Sequence, residues 1–158
     1  MSDRVTGVTT GSPGDSRTPA TASGAAAAIR LRGRVLIAED NPVNQKVTVA
    51  MCRKLGLEVV VVADGDQAVS TVAAGGVDLV LMDCQMPIRN GFEACAAIRA
   101  CETDGRHLPV VALTASALPE ERARCLDAGM DAFLSKPVSL NDLAQTLGRW
   151  LERHVAPT

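Results

Sequence analysis

Short apolar runs and amphipathic segments alternate regularly from residue 34 onward. Each run is rich in Val, Leu, Ile and Ala, which is typical of buried parallel strands, and apolar residues with helical spacing follow it. The predicted strands cover residues 35–38, 57–62, 77–82, 109–113 and 132–135. This alternation predicts five β-α units with right-handed crossovers, so the expected fold class is α/β with a doubly wound, five-stranded parallel sheet.

Local signals indicate where the helices begin and end. The first helix is predicted to open with Asn41 as its cap and Pro42 at the first helical position, and Gly56 should end it. The residues expected to line one apolar face of this helix are Val43, Val47, Ala50, Met51 and Leu55. The other helices are predicted over 64–74, 91–101 and 119–128, and a last helix places Leu140, Leu143, Leu147 and Leu151 at core spacing.

The predicted fourth helix has only a thin apolar stripe. Its charged residues are Glu120, Glu121, Arg122, Arg124 and Asp127. A solvated face is the interpretation that we favour, and a weakly anchored switch element is the alternative.

Polar residues stand at the ends of four predicted strands. Glu39 and Asp40 follow the first strand, Asp83 the third, Thr114 the fourth and Lys136 the fifth. Because ligands of open α/β sheets bind beyond the carboxyl ends of the strands, we expect these five residues to share one site.

Electrostatics narrow the chemistry of this site. Three carboxylates beside one ammonium and one hydroxyl repel one another, and each pair at ~5 Å with an effective dielectric of ~20 costs roughly 3 kcal/mol. A divalent cation is therefore expected, and the all-oxygen ligand set favours Mg²⁺, which usually shares its coordination sphere with phosphate oxygens. The site is predicted to hold Mg²⁺ and a phosphoryl group.

Composition sets the boundaries of the domain. The chain has 158 residues, 47% of them hydrophobic, with two Phe, one Trp and no Tyr, so one aliphatic core is expected. Residues 1–32 are rich in Thr, Ser, Gly, Pro and Ala and are predicted to be a flexible linker or tail, in which 25–29 could form a short helix. The domain is predicted over 33–153, with a C-terminal tail over 154–158.

The same features argue against some partners. A net charge of −2 and the lack of interleaved basic and aromatic residues argue against nucleic acid. No apolar stretch approaches the roughly 20 residues of a membrane helix, and no secretory leader is present, so the domain is expected to be cytoplasmic and to need no membrane.

The five cysteines form no C-x-x-C pair and are interpreted as small buried residues of a reducing compartment. Cys84 is the expected exception, since it follows Asp83 directly and would be exposed at the site. A structural role is still favoured for it, because no His lies nearby in the sequence to act as a base.

Taken together, these residues resemble the receiver domain of two-component response regulators over about residues 33–153. The resemblance rests on the acidic pair, on Asp83 with Met86-Pro87 and Gly91 behind it, on the strand-end Thr and on Lys136-Pro137, all in the family's order and spacing. It implies strand order 2-1-3-4-5, a cis Lys136-Pro137 bond, and a signalling domain that assists its own phosphorylation and dephosphorylation but is no enzyme in the ordinary sense.

The resemblance also implies a role for each site residue. Asp83 would accept a phosphoryl group from a phosphohistidine, and Lys136 and Thr114 would bind its oxygens. Asp40, Asp83 and the backbone carbonyl of Gln85 would bind Mg²⁺ directly, and Glu39 would act through water; Glu in place of a second Asp departs mildly from the family. Thr114 and Phe133 would form the switch, although Phe133 could equally be a plain core residue. Gln85 and Ser116 would tune how fast water removes the phosphoryl group.

The segments AEDNPVNQKV and MDCQMPIRNGFEACAAIR resemble those of receivers in hybrid histidine kinases. The partners would then be a histidine kinase and a histidine phosphotransfer domain that docks near the first helix. A stand-alone receiver and a degenerate receiver that signals by binding alone stay open, as does homodimer formation on activation.

Two other classes fit less well. A phosphatase of the haloacid dehalogenase type needs a second Asp two residues after the first, and that position is Gln85. A flavodoxin-like cofactor binder needs a phosphate-binding loop after the first strand, where Glu39 and Asp40 would repel phosphate.

Overall fold

The structure, a computed structural model, describes residues 30–154 apart from 104 and 117. The predicted tail up to residue 29, including the short helix over 25–29, and residues 155–158 lie outside the described part. The last helix ends at His154, so it extends one residue into the predicted C-terminal tail.

Within the described residues, five strands and five helices alternate along the chain. All strands are parallel, and their order in the sheet is β2-β1-β3-β4-β5, which confirms the predicted fold class and order. The elements are β1 (Arg34–Ala38), α1 (Pro42–Lys54), β2 (Glu58–Val62), α2 (Gly65–Ala74), β3 (Leu79–Asp83), α3 (Gly91–Cys101), β4 (Val110–Thr114), α4 (Pro119–Asp127), β5 (Ala132–Ser135) and α5 (Leu140–His154).

The ends of α1 form as the sequence predicts. The Asn41 side chain accepts hydrogen bonds from the backbone N–H groups of Val43 and Asn44, at 2.9 and 3.2 Å, and Pro42 occupies the first helical position. Gly56, with a φ of 93°, follows the last turn. These contacts satisfy backbone groups that a helix terminus leaves without intrahelical partners.

The predicted core face of α1 is partly wrong. Val43 and Val47 are 69% and 51% exposed, and Ala50 is exposed as well. The helix carries apolar residues on two sides, so their spacing does not determine which side faces the sheet. The small residues Thr48 and Cys52 pack closely on the sheet instead. The buried residues on this side are Thr48, Cys52 and Leu55.

The core is aliphatic, as the composition predicts. Strands β3 and β4 are buried along their whole length, and Leu143, Leu147 and Leu151 of α5 are buried with them, whereas Leu140 is half-buried. None of the described helices is both long enough and apolar enough to span a bilayer.

Four cysteines are buried, and Cys101 is exposed. The expectation that Cys84 is exposed is wrong: its exposed fraction is 1%, because it packs in the core against residues of α3 and α4. Burial raises the pKa of this thiol, and the neighbouring Cys125 adds to the effect.

Arg99 of α3 joins three segments at the amino ends of the strands. Its Nε donates to the carbonyl of Gly129 at 2.9 Å, and Nη1 donates to the carbonyl of Leu108 at 2.7 Å. The same guanidinium pairs with Glu102 at 2.6 Å and with Asp131 at 2.8 Å. Because both carboxylates are largely buried, these charged contacts fix the end of the sheet opposite to the predicted site.

Candidate functional site

Three carboxylates meet where β1 and β3 end. Glu39 and Asp40 follow β1, and Asp83 is the last residue of β3; a carboxylate oxygen of each lies within 4.8 Å of the other two. Glu39 and Asp83 are 1% and 4% exposed, whereas Asp40 faces solvent. The parallel register produces this cluster, since Ala38 pairs with Met82, the residue before Asp83.

Lys136 follows β5 and reaches across to two of these carboxylates. Its Nζ lies 3.0 Å from Oε1 of Glu39 and 3.1 Å from Oδ2 of Asp83. The peptide bond to Pro137 is cis, as predicted. Burial alone would lower the pKa of Lys136, but the close negative charges of Glu39 and Asp83 outweigh it, so the pKa is raised and the side chain stays charged.

Glu39 is held from two sides. Its Oε2 accepts a hydrogen bond from the backbone N–H of Asn41 at 3.1 Å, and its backbone carbonyl accepts one from Nε2 of Gln45 at 2.6 Å. Oε1 is buried and lies against the charge of Lys136, but it accepts no well-directed hydrogen bond from the described residues. Burial raises the pKa of Glu39, and the neighbouring Asp83 raises it further.

The two oxygens of Asp83 have different partners. Oδ1 accepts a hydrogen bond from the backbone N–H of Gln85 at 3.0 Å, and Oδ2 faces Lys136. Behind this residue the N–H of Gly91 donates to the carbonyl of Cys84 at 3.1 Å. A side chain at position 91 would overlap with the backbone carbonyl of Asp83, so only glycine permits α3 to start this close to the carboxylate.

Thr114 ends β4, and its hydroxyl forms hydrogen bonds with groups of the β4–α4 loop and of α4. The hydroxyl accepts a hydrogen bond from the N–H of Ser116 at 3.1 Å. As donor it can reach the carbonyl of Ser116 at 2.9 Å or Oε2 of Glu121 at 3.2 Å. The sequence favours a solvated face for Glu121 and gives no spacing signal that distinguishes it from Glu120, but the structure leaves its side chain only 18% exposed.

Phe133 of β5 is half-buried and packs against the edge of the core. The guanidinium of Arg122, from α4, lies over its ring with 4.8 Å between Cζ and the ring centroid. The guanidinium of Arg124 covers Phe92 of α3 in the same way, at 4.2 Å. Charged side chains therefore make much of the contact between α4 and its neighbours.

The carboxylate cluster fits a hard divalent cation. It offers only oxygen ligands, its three negative charges exceed the single charge of Lys136, and Oε1 of Glu39 lacks a hydrogen-bond donor. Such a set suits Mg²⁺ and matches the expected ligands Glu39, Asp40 and Asp83. For Gln85, the structure places the backbone N–H on Asp83, and its carbonyl as a metal ligand stays a prediction.

A doubly wound parallel sheet with acidic residues after β1, Asp83 at the end of β3, Thr114 at the end of β4 and Lys136 after β5 is the arrangement of a receiver-type signalling domain. The chain matches the sequence model of the response regulator receiver domain over residues 35–148. It therefore belongs to the receiver family of two-component systems.

Its relatives include sensor kinases. The chain is 44% identical over 119 residues to the sensor protein GacS of Pseudomonas syringae, covering 74% of this chain and 13% of that protein. The chain therefore spans only a small part of each relative: 13% of the length of GacS and 7% of the length of a hybrid signal transduction protein of Dictyostelium discoideum. The chain is thus most similar to the receiver module of hybrid histidine kinases.

Two solved receivers extend the comparison. The magnesium-bound receiver domain of sensor histidine kinase PA1611 from Pseudomonas aeruginosa is 46% identical, with a TM-score of 0.70 over 75% of this chain and 97% of that one. The receiver domain of the Saccharomyces cerevisiae response regulator Ssk1, in complex with the histidine phosphotransfer protein Ypd1, is 30% identical, with a TM-score of 0.72 over 78% and 91%.

Proposed function

We propose that Asp83 accepts a phosphoryl group from a phosphohistidine of a partner protein. The observation that carries this proposal is the environment of its carboxylate, with Oδ1 bound by a backbone N–H and Oδ2 facing the ammonium of Lys136. These contacts fix the orientation of a nucleophile at the carboxyl end of the sheet.

The transfer exchanges one phosphorus bond for another. A carboxylate oxygen of Asp83 attacks phosphorus while the P–N bond of the phosphohistidine breaks, and the imidazole nitrogen keeps the electron pair of that bond. The product is an acyl phosphate on Asp83. Because the incoming group brings further negative charge, the site needs positive charge and hydrogen-bond donors already in place.

Lys136 and Thr114 supply these groups from the protein. Lys136 contacts Asp83 before transfer, so its ammonium is positioned to bind a phosphoryl oxygen afterwards. Thr114 ends the neighbouring strand, and its hydroxyl would donate to a second phosphoryl oxygen. Glu39, Asp40, Asp83 and the Gln85 carbonyl would hold Mg²⁺, which neutralises charge on the transferred group when bound.

The neighbours of these groups would control the lifetime and output of the phosphoryl state. Gln85 and Ser116 flank the site, and we propose that their side chains tune the access of water. Phe133, half-buried beneath α4, would move together with Thr114 as the switch.

The partner would be a histidine kinase or a histidine phosphotransfer domain that docks beside α1. The exposed Val43 and Val47 offer apolar contact area on this helix. A cavity of about 140 Å³ between α1 and the loop after β5 leads from Val47 to Glu39 and Lys136. We propose that residues 33–153 are the receiver of a longer hybrid kinase, with 1–32 as its linker; a stand-alone receiver is the alternative.

Phosphorylation by acetyl phosphate, followed by intact mass, tests the proposal. Wild type should gain one alkali-labile phosphoryl group in a Mg²⁺-dependent manner, and Asp83→Asn should gain none. Asp127→Asn, which removes an exposed carboxylate on α4 outside the cluster, should behave as wild type. No gain in wild type would favour the second candidate, a degenerate receiver that acts as a phosphorylation-independent interaction module.

A further inference from the structure

The Thr114 hydroxyl donates its hydrogen bond to groups on the α4 side of the site. It has one hydrogen to donate, and both acceptors within reach, the Ser116 carbonyl and the Glu121 carboxylate, lie in the β4–α4 loop and in α4. The N–H of Ser116 holds the same oxygen from the acceptor side. The hydroxyl is nearly inaccessible to water, since Thr114 is 2% exposed, so these partners decide its orientation.

Glu121 is placed to influence the site beyond this contact. Its side chain is only 18% exposed, and Oε1 lies 3.9 Å from Arg124. Burial is the main cause of the raised pKa of the Cys84 thiol, and the charge of Glu121 contributes to it, so this charge acts on the residue next to Asp83. A partly buried anion on this side of the site disfavours a developing phosphoryl group on Asp83 unless the anion moves away.

We propose that Glu121 is a positioning residue that holds the Thr114 hydroxyl away from Asp83 in the unphosphorylated domain and competes with the phosphoryl oxygens for it. This inference rests on the proposed phosphorylation of Asp83. When Thr114 turns to the phosphoryl group, Glu121 loses its hydrogen-bond donor, and the first turn of α4 loses one of its attachments to the sheet.

Glu121 thereby couples the proposed phosphorylation of Asp83 to the position of α4. The helix buries only Cys125, and its N-cap residue Leu118 makes no side-chain capping bond, so few other contacts fix its first turn. Arg122 and Arg124 attach α4 through aromatic faces that tolerate sliding. Loss of the Thr114–Glu121 hydrogen bond is therefore a local event that α4 can transmit to its exposed surface.

Phosphorylation rates with acetyl phosphate and Mg²⁺ test this in a double-mutant cycle. Glu121→Ala should phosphorylate roughly two- to tenfold faster than wild type, the factor that one net hydrogen bond represents. Thr114→Val removes the hydroxyl but keeps the shape, and in that background Glu121→Ala should leave the rate unchanged. Glu121→Gln keeps an acceptor oxygen and should lie nearer to wild type than Glu121→Ala.

Glu120→Ala is the matched control, because Glu120 is also an acid of the first turn of α4 but its side chain has no hydrogen-bond or ion-pair partner among the described residues. It should phosphorylate at the wild-type rate. Three-bond couplings that report the χ1 rotamers of Thr114 in the unphosphorylated protein should change in Glu121→Ala and stay as in wild type in Glu120→Ala.

Three results overturn the inference alone: wild-type phosphorylation with no acceleration in Glu121→Ala, the same acceleration in the Thr114→Val background, or unchanged Thr114 rotamers. A wild-type protein that takes no phosphoryl group overturns the proposed function itself. Thermal unfolding of each variant shows that it is folded, and should Glu121→Ala fail to fold, the rotamers and rate of Glu121→Gln decide.

Discussion

Charge balance governs the site at the scale of single residues. Lys136 contacts Glu39 and Asp83, whereas Asp40 has no ion-pair partner among the described residues although its carboxylate belongs to the cluster. The three acids look alike in the sequence, but in the structure Lys136 pairs with Glu39 and Asp83. Asp40 has no such pairing and is repelled by the other two carboxylates.

Asp40→Asn should stabilise the metal-free domain, because it removes repulsion and breaks no ion pair. We expect the midpoint of thermal unfolding to rise by about 1 to 4 °C without Mg²⁺, and the stabilisation by added Mg²⁺ to shrink, since a ligand is lost. Asp127→Asn should change neither. A lower midpoint for Asp40→Asn without Mg²⁺ would contradict a strained acidic cluster.

Cys52 should make the domain less stable in alkali. Burial raises the pKa of this thiol from 9.0 to about 12. Between these values the unfolded chain has released the thiol proton and the folded chain has kept it, so unfolding releases a proton and the free energy of unfolding falls as pH rises. Urea midpoints at pH 8 and 10.5 should therefore differ less in Cys52→Ala than in wild type; parallel losses would argue against a titrating Cys52.

The sequence predicts the charged cluster because strand ends can be located from apolar runs. Each of Glu39, Asp83 and Lys136 directly follows or ends such a run, and parallel register then brings them together. Glu121 could not be found in this way, because it meets Thr114 through the turn of the β4–α4 loop, which no periodicity encodes.

At the scale of elements, the sequence predicts where α1 begins and ends better than it predicts which side of α1 faces the sheet. The ends of α1 follow from Asn41, Pro42 and Gly56, whose preferences act locally. Which side of α1 faces the sheet depends on packing, and Thr48 is buried there at 5% exposure while Val47 points outward. The exposed valines instead form the apolar strip to which we assign partner docking.

Gly91 permits α3 to begin against the end of β3. Gly91→Ala should destabilise the domain by about 1 to 3 kcal/mol, because its methyl group would overlap with the Asp83 carbonyl and push the strand end. Gly148→Ala is the control: its methyl group would meet Leu31 at an ordinary 3.6 Å, and alanine favours the helix, so stability should rise slightly. Urea unfolding measures both, and equal effects would refute the close approach.

At the scale of the whole molecule, the start of the domain lies slightly before the first strand. The N–H of Leu31 donates to the carbonyl of Leu55 at 2.7 Å, and the carbonyl of Gly33 accepts from Glu58 at 3.0 Å. Composition predicts a boundary at residue 33, because composition does not register single hydrogen bonds.

Truncation tests this boundary. A chain that begins at Leu31 should unfold at the same urea concentration as the full chain, because the contacts of residues 31–33 remain. A chain that begins at Arg34 should lose about 1 to 3 kcal/mol with its two hydrogen bonds. A large loss of stability in the chain that begins at Leu31 would place the start of the domain earlier in the sequence.

The contacts of Arg99 fix the segment that follows the carboxyl end of α4. They hold Gly129, directly after the carboxyl end of α4, together with α3 and the strand entrances. The amino-terminal half of α4 is attached by the hydrogen bond between Thr114 and Glu121 and by the guanidinium of Arg122 over Phe133. If Thr114 moves toward Asp83 as we propose, this nine-residue helix, about 13 Å long, would tilt about its carboxyl end beside Gly129.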